Sequence, residues 1–130
     1  MDPVVRAIEI LAGIQFLIIG LSHLLQPAAW VEFFVRLREH GRAGVFANSF
    51  LSLIFGSLIV AFHNVWTGFP IVLTVIGWAQ VVKALVGFAM PHISMRGLQR
   101  VSADRLWEFQ VAGLLFLVLS GLMLYLVARG

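Results

Sequence analysis

The chain has 130 residues, 61% of them hydrophobic and only 12% charged, against roughly a quarter charged in a soluble domain. Those proportions exclude an ordinary soluble enzyme and leave an integral membrane protein, because about four spans of about twenty residues, each long enough to cross roughly 30 Å of hydrocarbon, use up most of the length. The absence of cysteine excludes disulfides, thiol nucleophiles and thiolate metal sites. The net charge of +3 comes from arginines at the ends of apolar runs, where they read as topology signals and not as a nucleic-acid footprint.

The first span is expected over residues 4–25. Its opening lacks the basic cluster of a cleaved signal and no small-x-small site follows the apolar run, so it reads as a retained helix. Gln26-Pro27 breaks it, since proline has no amide donor and pushes the preceding residue out of helical geometry. Over 28–40, Trp30, Phe33, Phe34 and Leu37 recur at i, i+3, i+4 and i+7, with Glu32, Arg36, Arg38 and Glu39 filling much of the rest. That pattern predicts an amphipathic helix too charged to span, lying in the membrane interface. Gly41-Arg42-Ala43-Gly44 turns the chain into a second span over 45–62. A short uncharged connector, His63 to Phe69, and Pro70 at a first-turn position lead into a third over 70–90, so spans two and three form an antiparallel hairpin. Pro91 stops span three, residues 92–104 form a basic connector, and the fourth span covers 104–127. The fold class is thus an all-α integral membrane protein: one domain over 1–130, a four-transmembrane-helix bundle with one amphipathic interfacial helix between spans one and two.

Arginine placement sets the orientation. Arg36, Arg38, Arg42, Arg96, Arg100 and Arg105 lie on the side of the two long connectors and only Arg6 and Arg129 on the other, six against two. The rule that basic loops stay inside therefore puts both connectors in the cytoplasm and both termini outside, in a multi-pass protein of a bacterial inner membrane. Threaded this way, His23, Asn48, Gln80, Lys83, Glu108 and Gln110 fall in one band near the cytoplasmic leaflet. An isolated charge in hydrocarbon costs at least about 2.5–3.5 kcal/mol on insertion scales, so Lys83 and Glu108 are the natural partners for one another. Either the pair staples spans three and four, or one member faces a cavity and binds a headgroup, a proton or an anionic ligand. Glu9, one turn from Arg6, reads as a surface ion pair, and His63 lies at the outer mouth.

His23 belongs to a stripe with Glu9, Gly13, Phe16 and Gly20, the seam of a packed helix. Ser49, Ser52 and Gly56; Gly77, Gln80, Ala84 and Gly87; and Gln110, Gly113, Leu117 and Ser120 repeat the device on the other spans. No cofactor or metal site is predicted. Haem through His23 is the alternative, but it requires a second imidazole at similar depth, and His40, His63 and His92 sit in or beside connectors. No Glu-x-x-His occurs on any span, and Ser22 and His23 are adjacent helical residues that point apart, so a catalytic dyad is not expected.

The stretch Gly20-Leu21-Ser22-His23-Leu24-Leu25-Gln26-Pro27, ending a first span and followed by an amphipathic helix and three more spans, resembles the DoxX-like family of small four-helix membrane proteins. The resemblance implies a place in redox or quinone-associated membrane complexes and carries no catalytic residue across. Two functions follow as expectations. One is a module that binds or transports a small molecule or lipid-like ligand in the inner-leaflet polar pocket. The other is a structural accessory subunit of a membrane redox complex. Membrane lipids, a homo-oligomer or a larger membrane complex are the expected partners, and nucleic acid is not. The threading is testable in this cysteine-free chain. A membrane-impermeant maleimide is expected to label Thr67→Cys in intact cells and Ser94→Cys only after lysis; the reverse pattern contradicts the assigned orientation.

Overall fold

A computed structural model describes residues 2–130. Its elements are six α-helices and one 3-10 turn, with no strand among the described residues: α1 (Pro3–Leu25), α2 (Pro27–Glu39), α3 (Arg42–Phe62), α4 (Ile71–Ala89), α5 (Pro91–Gln99) and α6 (Leu106–Arg129), the last preceded by the turn Ala103–Arg105. Four helical stretches, Pro3–Leu25, Arg42–Phe62, Ile71–Ala89 and Ala103–Arg129, are long and apolar enough to cross a membrane. Large apolar side chains such as Ile18, Leu85 and Leu115 are more than half exposed. Water would not tolerate so much open apolar surface, and lipid does. The fold class is the all-α membrane one expected.

Local chemistry sets the helix ends. The Asp2 carboxylate accepts from the Val4 amide at 2.7 Å and Pro3 occupies the first helical position. Gly41, at φ 61°, makes the α2–α3 turn almost alone, a backbone shape that L side chains rarely adopt. Arg42, Ala43 and Gly44 are consequently helical, and α3 starts three residues before the predicted edge. Pro91 does more than stop α4. As the first residue of α5 it starts a new helix over the first part of what was expected to be a plain basic connector.

The chain divides into two compact units, one containing the stretch through Trp30 together with Asp104–Gly130 and the other Val31–Ala103. In the first, α1 and α6 run antiparallel with Gly13 against Leu124 and Gly20 against Gly113. A Cβ on Gly113 would stand 2.6 Å from the Gly20 carbonyl oxygen and 2.9 Å from the Cβ of His23, so the two backbones touch where neither has a side chain. Ser120 donates from Oγ to the Gly13 carbonyl at 2.7 Å, and the Phe16 and Phe116 rings stack at 5.4 Å. Such contacts hold helices together in lipid, where burial of apolar surface supplies little drive.

In the second unit α3 and α4 form the expected antiparallel hairpin. Gly56 packs on Gly77 and Gln80, Gly77 on Ile59, and Gly87 on Ser49. The turn between them is fastened by Thr74, which is fully buried. Its hydroxyl donates to the Val65 carbonyl at 2.8 Å and lies 3.1 Å from Nδ1 of His63. His63 caps α3 at this turn, the end of the span where it was expected, and is itself fully buried. Trp78 Nε1 donates to Asn64 Oδ1 across the same turn at 3.3 Å.

Candidate functional site

His23 sits on the last turn of α1 and is 7% exposed. Its Nδ1 lies 2.8 Å from the carbonyl oxygen of Ile19, one turn back. A carbonyl only accepts, so Nδ1 carries the hydrogen, and in the neutral ring the lone pair belongs to Nε2. The Gln26-Pro27 break then turns the first turn of α2 so that Trp30 stacks on the imidazole, with centroids 4.1 Å apart and planes 23° apart. Trp30 is held in turn by its indole N–H, which donates to Ser22 Oγ at 2.8 Å. The Ser22 hydroxyl thus orients a ring and is not paired with its histidine neighbour.

Helix α6 closes the other sides. Phe109 and Phe116 lie seven residues apart on one face, with Gly113 between them, and both ring centroids are 5.8 Å from that of His23, Phe109 near parallel and Phe116 edge-on. Gly113 lets the backbone of α1 come close, and the two phenylalanines flank the gap it leaves. Aromatic pairs of this kind contribute about 0.5–1.5 kcal/mol each beyond their burial, enough to hold the imidazole in one orientation. No described residue takes a hydrogen bond at Nε2. That nitrogen is not sealed off either, since no fully buried side-chain nitrogen or oxygen lacks a partner. The result is an oriented imidazole in an aromatic box with one open nitrogen. It can accept an O–H or N–H, or donate when protonated.

Of the six residues of the expected band, three lie on each unit. In the first unit, Glu108 is half-buried and Gln110 exposed at the start of α6. They stand near the level of His23, which packs beside Gly113, but neither bonds to its ring. The face of α6 that meets α1 carries Phe109 and Gly113 instead. In the second unit, Asn48 and Gln80 are half-buried and Lys83 is exposed, and none of these side chains makes a hydrogen bond or ion pair within the unit. The glycine contacts fix their heights. Gln80 is level with Gly56 while Asn48 precedes it by eight residues on α3, a separation of about 12 Å along the helix at 1.5 Å per residue. Threading from span ends likewise set Asn48 at the inner level and Gln80 at mid-depth.

Glu9 is 4% exposed on the buried seam of α1, whereas Arg6 is exposed and forms no ion pair, so the expected surface pairing between them is absent. Among the described residues no group of three or more His, Asp or Glu side chains is placed to hold a metal ion. His23 is also the only histidine of its unit. The aromatic walls were missed at the sequence level, although Phe109, Gly113 and Phe116 at i, i+4 and i+7 carry a readable signal.

Comparison with protein-family models, with characterised proteins and with solved structures gives no match. The site therefore has to be judged on its own geometry. Long-range proton–nitrogen NMR of protein labelled with nitrogen-15 at histidine is expected to show neutral His23 with the proton on Nδ1. A signal pattern for the Nε2-protonated tautomer would contradict the orientation described.

Proposed function

We propose that this chain is a small polytopic membrane protein that binds, or carries across the bilayer, a small amphipathic or lipid-like molecule, and that His23 is where the molecule is held. The observation that carries this reading is the open Nε2 of an imidazole fixed by the Ile19 carbonyl and walled by Trp30, Phe109 and Phe116. A polar group left without a partner at membrane depth costs free energy and is commonly functional. The lone pair suits a hydroxyl or amine on the ligand, and the rings suit its apolar body. Glu108 and Gln110, at a similar level on α6, would supply further polar contacts; Asn48, Gln80 and Lys83 belong to the other unit, and the reading does not rest on them. The arginine bias supports an orientation with both termini outside the cytoplasm, and a bacterial inner membrane is the location that goes with this reading. The extensive exposed apolar faces suit self-association as well as lipid. No catalytic role is assigned to any residue.

A second reading, an accessory subunit of a redox or quinone-associated membrane complex, draws on the DoxX-like stretch around His23. It is also favoured by the hydroxyls of Ser49, Thr74 and Ser120, all of which are spent on internal fastening. The test is mass spectrometry of organic extracts from protein purified in mild detergent. Wild type is expected to yield a bound small molecule at near-stoichiometric level, with His23→Ala reducing it about tenfold or more and the exposed Arg6→Gln leaving it unchanged. Equal yields from all three contradict the proposal, and co-isolation of cofactor-bearing partner chains supports the subunit reading.

A further inference from the structure

One edge of the Val31–Ala103 unit concentrates positive charge, and its geometry is built. The amphipathic helix α2 was expected to turn Arg36 and Arg38 alike to its polar face. Arg36 does so, pairing with Glu32 at 2.7 Å while both side chains stay largely exposed. Arg38 does not. It is half-buried, and Nη1 donates to the carbonyls of Val101 at 3.0 Å and Leu98 at 3.3 Å, with that of Gln99 at 3.5 Å. One guanidinium thus caps the C-terminal end of α5 from a helix some sixty residues earlier in the chain, where carbonyls lack helical partners and the helix dipole is negative.

The same end of α2 is locked onto the start of α3. Gly41 supplies the turn, and Gly44 lies so close to the Leu37 carbonyl that a Cβ there would collide with the backbone. The ends of α2 and α5 and the beginning of α3 therefore meet at one edge. Arg42 is exposed on α3. On α5, His92, Arg96 and Arg100 fall at i, i+4 and i+8, all exposed, and Arg100 keeps helical dihedrals at φ −72° and ψ −24°, so the three form one row. Glu32 and Glu39 are the only acidic residues of the unit, and Glu32 is already paired. At the far end of the α3–α4 hairpin, residues 62–70 carry no Asp, Glu, Lys or Arg. Exposed apolar side chains accompany the basic ones at the start of α5: Met90 at 40% and Ile93 at 41%, next to His92.

We infer that this edge is a binding surface for the phosphate headgroups of anionic phospholipids, with Arg42, His92 and Arg96 against the phosphate and Met90 and Ile93 against the upper acyl chain. The mixture decides the partner. A soluble polyanion would use the arginines and leave the apolar residues in water, whereas a lipid uses both, at the depth where an amphipathic helix lies. The Arg38 clamp turns two separate basic segments into one surface. Arg38 itself is spent on the carbonyls and acts as a positioning residue.

The test uses the whole protein in phosphatidylcholine micelles, titrated with phosphatidylglycerol and read by native mass spectrometry. Wild type is expected to retain phosphatidylglycerol over phosphatidylcholine, with the preference falling about fivefold for each arginine removed in Arg42→Gln and Arg96→Gln, and weakening as salt is raised. Arg6→Gln, at the other end of its own helix, is expected to keep the wild-type preference. Equal retention of the two lipids by wild type overturns the inference, even where a variant fails to fold. So does an unchanged preference in a folded Arg42→Gln/Arg96→Gln double variant. Displacement of the lipid by millimolar inorganic phosphate also overturns it, because the site would then take a free anion without its acyl chain.

Discussion

Close approach of helix backbones is the constraint on which the rest of the structure depends. In lipid, apolar side chains gain little by leaving one hydrocarbon environment for another, so helices associate through fit and through hydrogen bonds that short distances allow. Gly20 against Gly113 and Gly56 against Gly77 and Gln80 are such places, each with a carbonyl or amide within about 3 Å of where a Cβ would stand. Once those contacts are set, register follows. Gly113 brings α6 to the last turns of α1, Phe109 and Phe116 then fall on either side of the gap, and His23 finds itself between aromatic rings. The site is thus a consequence of two residues that have no side chains.

Several polar groups in these helices are committed to internal bonds. Ser49 donates to the Val45 carbonyl, Ser120 to Gly13 across the helix pair, Thr74 to Val65 across a turn, and Arg38 to three carbonyls at the end of α5. Each removes an unsatisfied group from a medium with no water to satisfy it. Against that background, the open Nε2 of His23 stands out because the ring that carries it is buried and held in place. One ring nitrogen is spent on orientation and the other is left available, the division of labour that tautomer control makes possible.

The four spans, the amphipathic helix and the antiparallel α3–α4 hairpin were legible in the sequence, because apolar run length, a 3.6-residue period and proline are local signals. The small-residue stripes were legible too: Gly13 and Gly20 meet α6 through Ser120 and Gly113, and Ser49 and Gly56 meet Gly87 and Gly77. Height was legible only coarsely: counting from span ends put Asn48 at the inner level and Gln80 at mid-depth, and the glycine contacts set the register that separates the two by two turns. The aromatic walls of His23 come from α2 and α6, far apart in the chain, so no local window contains them all. The burial of His63 was not legible either: nothing in its own neighbourhood announces Thr74, eleven residues on, as the partner that draws it inside. Arg38 is similar, its role depending on carbonyls sixty residues away.

The most direct measurement of the central constraint is a set of single glycine-to-alanine changes read by thermal unfolding in one detergent. Gly20→Ala and Gly113→Ala force a methyl against a facing backbone and are expected to destabilise by at least about 1–3 kcal/mol. Gly97→Ala and Gly121→Ala point into open space, with nothing within 4 Å, and are expected to be neutral or to stabilise by up to about 1 kcal/mol, since alanine favours helix over glycine. If the first pair unfolds no earlier than the second, close backbone approach does not hold α1 against α6, and the account of the site built on it fails.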